Sequence, residues 1–306
     1  MRRIFAIGET VFDIIFKAGK PVASTPGGSM LNAAVSLGRL GLDVYFISEY
    51  GSDKIGREVD AFLRGNGVKT DYVYRYSDNQ SSLALAFLDE NNNAEYDFYK
   101  CYSKNRLDVA FPELTADDIV VFGSFYGIDP EIYTRLKPFL EHARSQNALV
   151  IYDPNFRKAH LSGMDIYRPI IMANFGFADI VKGSDEDFAH IFGTKSAEDA
   201  RDALRDMCDV LLYTANRDNV RLCMPGVADS YTVLSIVPVS TIGAGDTFNA
   251  GLIYGLATQN IRKSNLKSMT EKQRAAIVEN AVRLAGHVCM SYDNYISPEF
   301  AAEFRQ

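Results

Sequence analysis

Asp246 lies in the run Ser240-Thr241-Ile242-Gly243-Ala244-Gly245-Asp246-Thr247-Phe248-Asn249-Ala250-Gly251, between a β-like stretch (Tyr231 to Val239) and an apolar helical one (Phe248 to Leu256). Glycines at a strand-to-helix junction let the backbone approach a ligand and turn its N–H groups outward. The partial positive charge of a helix N-terminus then favours an anion such as a phosphate. A carboxylate there repels the anion unless it has chemistry to perform. Taking the proton from an attacking hydroxyl while a phosphoryl group moves onto it is such chemistry. Asp at a Gly-rich turn can also be an ordinary helix cap. Three glycines, an Asp and an Asn within the nine residues from Gly243 to Gly251 argue for phosphoryl transfer to an alcohol. The run lacks the Gly-Lys-Ser/Thr end of a Walker A loop and is not the dinucleotide G-x-G-x-x-G pattern.

Other segments suit the acceptor. Pro26-Gly27-Gly28-Ser29-Met30-Leu31-Asn32 opens a helix after two glycines, and Asn32 offers both a donor and an acceptor to the loop. Gly8-Glu9-Thr10-Val11-Phe12-Asp13 adds carboxylates beyond the first strand. Carboxylates accept hydrogen bonds from vicinal hydroxyls, although Glu9 also reads as a loop charge. In Asp153-Pro154-Asn155-Phe156-Arg157, good turn chemistry follows a buried strand, and Arg157 brings a planar donor fork suited to phosphate or carboxylate.

These segments need a scaffold that brings them to one end of a sheet. Strands are expected at Ile4–Ile7, Val44–Glu49, Ile119–Phe122, Leu149–Tyr152, Ile180–Lys182 and Val210–Thr214. Helices are expected at Met30–Leu40, Gly56–Asn66, Pro130–Gln146, Ile166–Asn174, Ala197–Met207 and Thr247–Ala257. The alternation predicts an α/β fold with a mostly parallel sheet between helical layers, and with ligands beyond the carboxyl ends of its strands. Thr10 to Val22 and Asp71 to Tyr102 break the alternation with β-like patterns, the second with a tight turn at Glu90-Asn91-Asn92-Asn93. They are expected to form a small separate sheet.

The chain has 306 residues, 47% hydrophobic and 23% charged, with a formal net charge of −7. That composition is globular, and the negative charge argues against a nucleic-acid surface. No apolar run is long enough for a membrane span or a signal peptide. Cys101, Cys208, Cys223 and Cys289 are scattered without C-x-x-C pairs, and the four histidines lack ligand spacing. A reduced, cytoplasmic protein is expected.

Gly243 to Phe248 resembles the second signature of the ribokinase-like (PfkB) sugar kinases, and Gly27-Gly28 with Asn32 resembles the first. Asp153-Pro154-Asn155-Phe156-Arg157 is similar to a segment of the fructokinase and 2-keto-3-deoxygluconate kinase branch. The resemblance runs in order through nearly the whole chain. It implies a single three-layer α/β/α domain over 1–306, with a β-sheet lid from strands at about 10–25 and 71–102 that often supports a homodimer. It implies ATP and Mg2+, with Asp246 as base and the amides of Gly243, Ala244 and Gly245 stabilising the moving phosphoryl group. Asp13, Gly27, Gly28, Asn32, Tyr99, Lys100, Asn155 and Arg157 would hold the sugar. Lys182, Thr214, Asn216, Asn219, Gly243 and Gly245 would hold the nucleotide.

The nucleotide side departs from the family. Where the family has N-x-x-E, this chain has Ser184-Asp185-Glu186-Asp187, which shifts a water-mediated metal role to Asp187 or Glu186. Thr214-Ala215-Asn216-Arg217-Asp218-Asn219 replaces a Gly-containing loop. Ser240 replaces an Asp that helps bind a monovalent cation, so potassium activation is not expected. The leading reading is an ATP-dependent, fructokinase-like sugar kinase. The alternatives are a degenerate sugar-binding or regulatory protein of the same fold, a kinase for a sugar acid such as 2-keto-3-deoxygluconate, and a nucleoside kinase.

Overall fold

The structure, a computed structural model, describes residues 2–89, 94–215, 219–233 and 235–306. Its strands are β1 (Arg3–Ile7), β2 (Val11–Lys17), β3 (Lys20–Gly27), β4 (Asp43–Gly51), β5 (Val68–Tyr76), β6 (Leu83–Leu88), β7 (Ala94–Tyr99), β8 (Ile119–Gly123), β9 (Leu149–Asp153), β10 (Ile180–Ser184), β11 (Val210–Thr214), β12 (Asn219–Met224) and β13 (Val227–Thr232). Its helices are α1 (Ser29–Arg39), α2 (Lys54–Gly65), α3 (Pro130–Ser145), α4 (Met164–Phe177), α5 (Asp185–Phe192), α6 (Ala197–Leu204), α7 (Ala244–Thr258), α8 (Glu271–Val288) and α9 (Pro298–Phe304).

The large sheet runs β13-β12-β11-β10-β9-β8-β1-β4-β5. It is parallel from β11 to β5, and β12 and β13 close one edge antiparallel. Alternate residues of each strand enter opposite helical layers. Ile4 and Ala6 join the layer of α1, α7 and α8, whereas Phe5 and Ile7 join the layer of α3 and α4. Burial on both faces explains why these strands read as continuous apolar runs. The chain order reverses between β4 and β8 around β1, the kind of switch point where such sheets open a crevice for ligands.

The second sheet, β3-β2-β6-β7, stands beyond the carboxyl end of β1. It differs from expectation in one strand. The alternating run from Asp71 begins in β5, which pairs with β4 at the edge of the large sheet, because Val68, Val73 and Tyr76 bury their side chains against that core. The small sheet gains only β6 and β7 from this region. The turn expected at Glu90–Asn93 lies outside the described residues. The strand expected at Tyr231–Val239 ends at Thr232, and it begins earlier, as the return of a hairpin.

Helix α7 fits against α8 through small residues. A Cβ on Gly251 would meet the Ala281 backbone at 2.5 Å, and one on Gly255 would meet the Ile277 backbone at 2.9 Å. That close fit fixes the direction in which the α7 N-terminus points. No helix among the described residues is long and apolar enough to cross a membrane.

Candidate active site

Helix α7 begins at Gly243, whose φ of 78° and close approach to Asn294 (a Cβ would lie 2.5 Å from its carbonyl oxygen) both require glycine. The Ala244 amide donates to the Thr241 carbonyl at 3.3 Å. The amides of Gly243, Gly245 and Asp246 have no partner among the described residues and remain open to an anion. Of the three amides expected to stabilise a phosphoryl group, Ala244's is therefore engaged internally, and Asp246's is a donor the sequence reading missed.

The Asp246 carboxylate is clamped from α1. Ser29 Oγ donates to Oδ1 at 2.6 Å and Asn32 Nδ2 donates to Oδ2 at 2.8 Å. Burial raises its pKa, as does Asp153 nearby, against the opposing pull of those two hydrogen bonds and of Lys182. A carboxylate raised toward neutrality is a better proton acceptor. Asn32 was expected to face the acceptor with both ends. Its donor instead orients Asp246, and its Oδ1 is buried without a partner, leaving an acceptor for a ligand hydroxyl.

Beneath the loop, Lys182 Nζ lies 3.0 Å from Asp153 Oδ2, which also accepts from Asn249 Nδ2 at 2.6 Å. A Cβ on Gly245 would meet the same ammonium at 3.1 Å, so Lys182 lies directly under the open amides. Burial pulls its pKa down, but Asp153 and Asp187 outweigh this and hold it above its usual value. Asp153 Oδ1 accepts from the Asn155 amide, which turns Asn155 into the left-handed region at φ 40°. Arg157 follows, exposed, and its guanidinium makes no hydrogen bond or ion pair among the described residues.

Asp187 does not fit the metal role expected of it. One oxygen accepts from the Phe156 amide at 2.6 Å, and the other accepts from the Ser184 amide and hydroxyl at 2.7 Å each. Ser184 in turn accepts from the Asp187 amide, completing a capping box for α5. Glu186 is exposed, and no cluster of metal-ligating side chains occurs among the described residues.

The acceptor side lies between the β1 exit and the small sheet. Gly28, at φ 136°, passes so close to Glu9 that a Cβ would lie 2.1 Å from its carbonyl oxygen. Gly27 rests on Asp13, where a Cβ would lie 2.4 Å from Oδ2. The Asp13 carboxylate makes no hydrogen bond or ion pair among the described residues, and burial raises its pKa to about 7. Register places Asp13 opposite Ala84, and Ala84 opposite Phe98. Tyr96, Phe98 and Asp13 therefore share the face turned toward the site. Tyr99, expected to contact the sugar, pairs with Leu83 and falls on the other face by the two-residue pleat.

Lys100 comes through to the site. Its ammonium lies 3.1 Å from Glu9 Oε1, 5.0 Å from the centre of the Phe125 ring and 5.7 Å from that of Phe98. Tyr102 also donates to Glu9 Oε1. Phe125 stacks on His160 at 4.7 Å, and burial, Lys100 and Arg157 together lower the His160 pKa. Tyr102, Phe125 and His160 were not singled out as site residues, and Glu9 was read either as a carboxylate beyond the first strand or as a loop charge. The four meet only through the fold.

Toward the nucleotide side, Thr214 ends β11 and Asn219 opens β12 opposite Thr232, exposed. Asn216 lies outside the described residues. Ser240 accepts a hydrogen bond from the Ile242 amide at 3.2 Å. Val239 is tied to Cys289, and around this tie Val237, Ile242, Met290 and Tyr292 are all exposed apolar groups.

Residues 1–296 match the family described as pfkB family carbohydrate kinase. The chain belongs to this family. As a pfkB carbohydrate kinase it is a phosphotransferase acting on a sugar hydroxyl, and its fold is ribokinase-like. It is 28% identical to a fructokinase-1 of Zea mays over 292 residues, covering 89% of this chain and 88% of that protein. It is 26% identical to the fructokinase of Escherichia coli, covering 92% and 91%. Among solved structures, the aminoimidazole riboside kinase of Salmonella enterica, complexed with its riboside and an ATP analogue, superposes with a TM-score of 0.84 at 21% identity, covering 99% of each chain. The Vibrio cholerae fructokinase in its fructose, ADP and calcium ion bound form gives 0.83 at 21% identity, covering 100% and 99%.

Proposed function

We propose that this pfkB kinase transfers the γ-phosphoryl group of ATP to a primary hydroxyl of a ketohexose, with fructose the first candidate. The observation that carries the reading is the Asp246 carboxylate, held by Ser29 and Asn32 next to the open amides of α7. Asp246 takes the hydroxyl proton as the oxygen attacks. The amides of Gly243 and Gly245, with Lys182 below them, stabilise the charge spread over the moving phosphoryl oxygens. Asp13 and the unpartnered Asn32 Oδ1 accept hydrogen bonds from the sugar, and Asn155 and Arg157 border the transfer path. The exposed Val237, Ile242, Met290 and Tyr292 offer an apolar bed for a purine. Magnesium would arrive as part of the MgATP substrate, since no cluster of metal-ligating side chains occurs among the described residues. Closure of the small sheet over the sugar excludes water, and its outer face pairs two copies in the cytoplasm.

A coupled ADP-release assay across hexoses, ketoses, sugar acids and nucleosides tests this, with Asp246→Asn as control. Turnover is expected on a ketohexose and should fall at least ~100-fold in the variant, while sugar binding measured by calorimetry persists. Near-normal turnover in Asp246→Asn would remove the proposed base. No turnover together with no ATP binding would leave a sugar-binding protein without catalysis.

A further inference from the structure

The acceptor end of the site holds one cation from the small sheet, and that cation is already matched. Lys100 Nζ is 3.1 Å from Glu9 Oε1, and both side chains are more than half buried, at 33% and 19% exposure. The pair lies within the site. The Glu9 carbonyl touches Gly28 of the acceptor loop, and Lys100 faces the Phe125 ring that stacks on His160. Asp13, the other charged group on this side, has no partner. Glu9 and Lys100 cancel, so an ionised Asp13 leaves the small-sheet side of the acceptor end with net negative charge.

Such a surface receives hydroxyls and rejects carboxylates. A hydroxyl donates to Asp13 without bringing charge. A carboxylate would meet Asp13 and Glu9 as like charges and would have to draw Lys100 out of a partly buried ion pair. Arg157 is the remaining cation at this end, exposed on the loop after β9 rather than on the small sheet. We infer that Glu9 is the specificity-determining residue of this site, and that by holding Lys100 it selects a neutral polyhydroxy acceptor against a sugar acid. The inference rests on the sugar-kinase reading and narrows its acceptor.

Glu9→Gln isolates the charge. The amide keeps an oxygen for the Tyr102 hydroxyl and fills the same volume, so the contact between β1 and the segment after β7 survives while Lys100 loses its counter-charge. The measurement is the ratio of kcat/KM for 2-keto-3-deoxygluconate to that for fructose. The wild type should favour fructose. Glu9→Gln should raise the ratio about ten-fold, equivalent to about 1.4 kcal/mol, and Glu9→Gln with Lys100→Met should return it to the wild-type value. A wild type that uses the acid as well as fructose overturns the inference, as does a ratio unchanged by Glu9→Gln. Acid turnover that disappears in Arg157→Gln would overturn it too, by moving recognition to that loop. If neither compound is turned over, the kinase reading fails separately. The same ratio is then read as calorimetric affinities for the two sugars, and absence of binding to both overturns the inference.

Discussion

Asp13 combines a half-buried position, a carboxylate without a side-chain partner among the described residues and a pKa raised to about 7 by burial. An ordinary aspartate would be ionised well below that. If the ionised form accepts the sugar hydroxyls, acceptor affinity should rise with pH through about 7 and level off above it. Calorimetry from pH 5.5 to 8.5 should show this rise, and Asp13→Asn should bind weakly with a flat profile. A wild-type affinity independent of pH would exclude the role. The same burial has an opposite effect on stability. Because the folded pKa exceeds the unfolded one, the folded state keeps a proton that the unfolded chain has lost. Stability contributed by this group therefore declines as pH rises from about 4 to 7. Asp13→Asn should stabilise the protein at pH 8 by roughly 1–3 kcal/mol, allowing for partial exposure, and change it little at pH 4. The runs that single out Asp246 and Asp13 are contiguous in sequence, so their place beyond the strand ends was legible there. The grouping of Glu9 with Tyr102, Phe125 and His160 was not, because the segments after four strands, β1, β7, β8 and β9, have to converge before they meet.

At the scale of elements, the six central strands β1, β4, β8, β9, β10 and β11 were legible because burial on both faces demands unbroken apolar runs, whereas β5, β12 and β13 at the edges were not. The misreadings arose where one pattern served two purposes. Ser184-x-x-Asp187 sits at a strand-to-helix junction, where a metal motif and a capping box use the same oxygen-bearing residues. The structure resolves this through the Phe156 amide, a partner from another loop. Tyr99 was misassigned for a different reason. Which face of β7 meets the site depends on register, and one residue of offset exchanges the faces. The capping box makes a stability prediction. Asp187→Ala leaves the Phe156 and Ser184 amides without their acceptor and should cost roughly 2–4 kcal/mol in denaturant unfolding. Asp187→Asn keeps an acceptor oxygen and removes a like charge from beside Asp153, so it should cost clearly less. Equal losses would mean that the charge, not the hydrogen bonding, matters at this junction.

For the whole molecule, the small sheet presents two different faces to its surroundings. The inner one carries Asp13, Tyr96 and Phe98 toward the site. The outer one carries Ile14, Phe16, Leu85 and Phe87, with Phe16 and Phe87 stacked at 5.1 Å between ring centres and Phe87 40% exposed. A four-stranded sheet with an apolar outer face and open edges is poorly suited to remain alone in water. A second copy would supply a matching apolar face by two-fold symmetry, and such pairing would hold the two small sheets over their own sites. Sedimentation equilibrium should therefore give twice the chain mass at micromolar concentration. Phe87→Glu puts a charge at the centre of the apolar face without touching the inner residues, and it should give monomers that retain their secondary structure. Because the pairing also steadies the sheet above the acceptor, the monomer should show a raised KM for the sugar with little change in the KM for ATP. A wild type that is monomeric at every concentration would refute the pairing, and a monomeric variant with an unaltered sugar KM would separate it from catalysis.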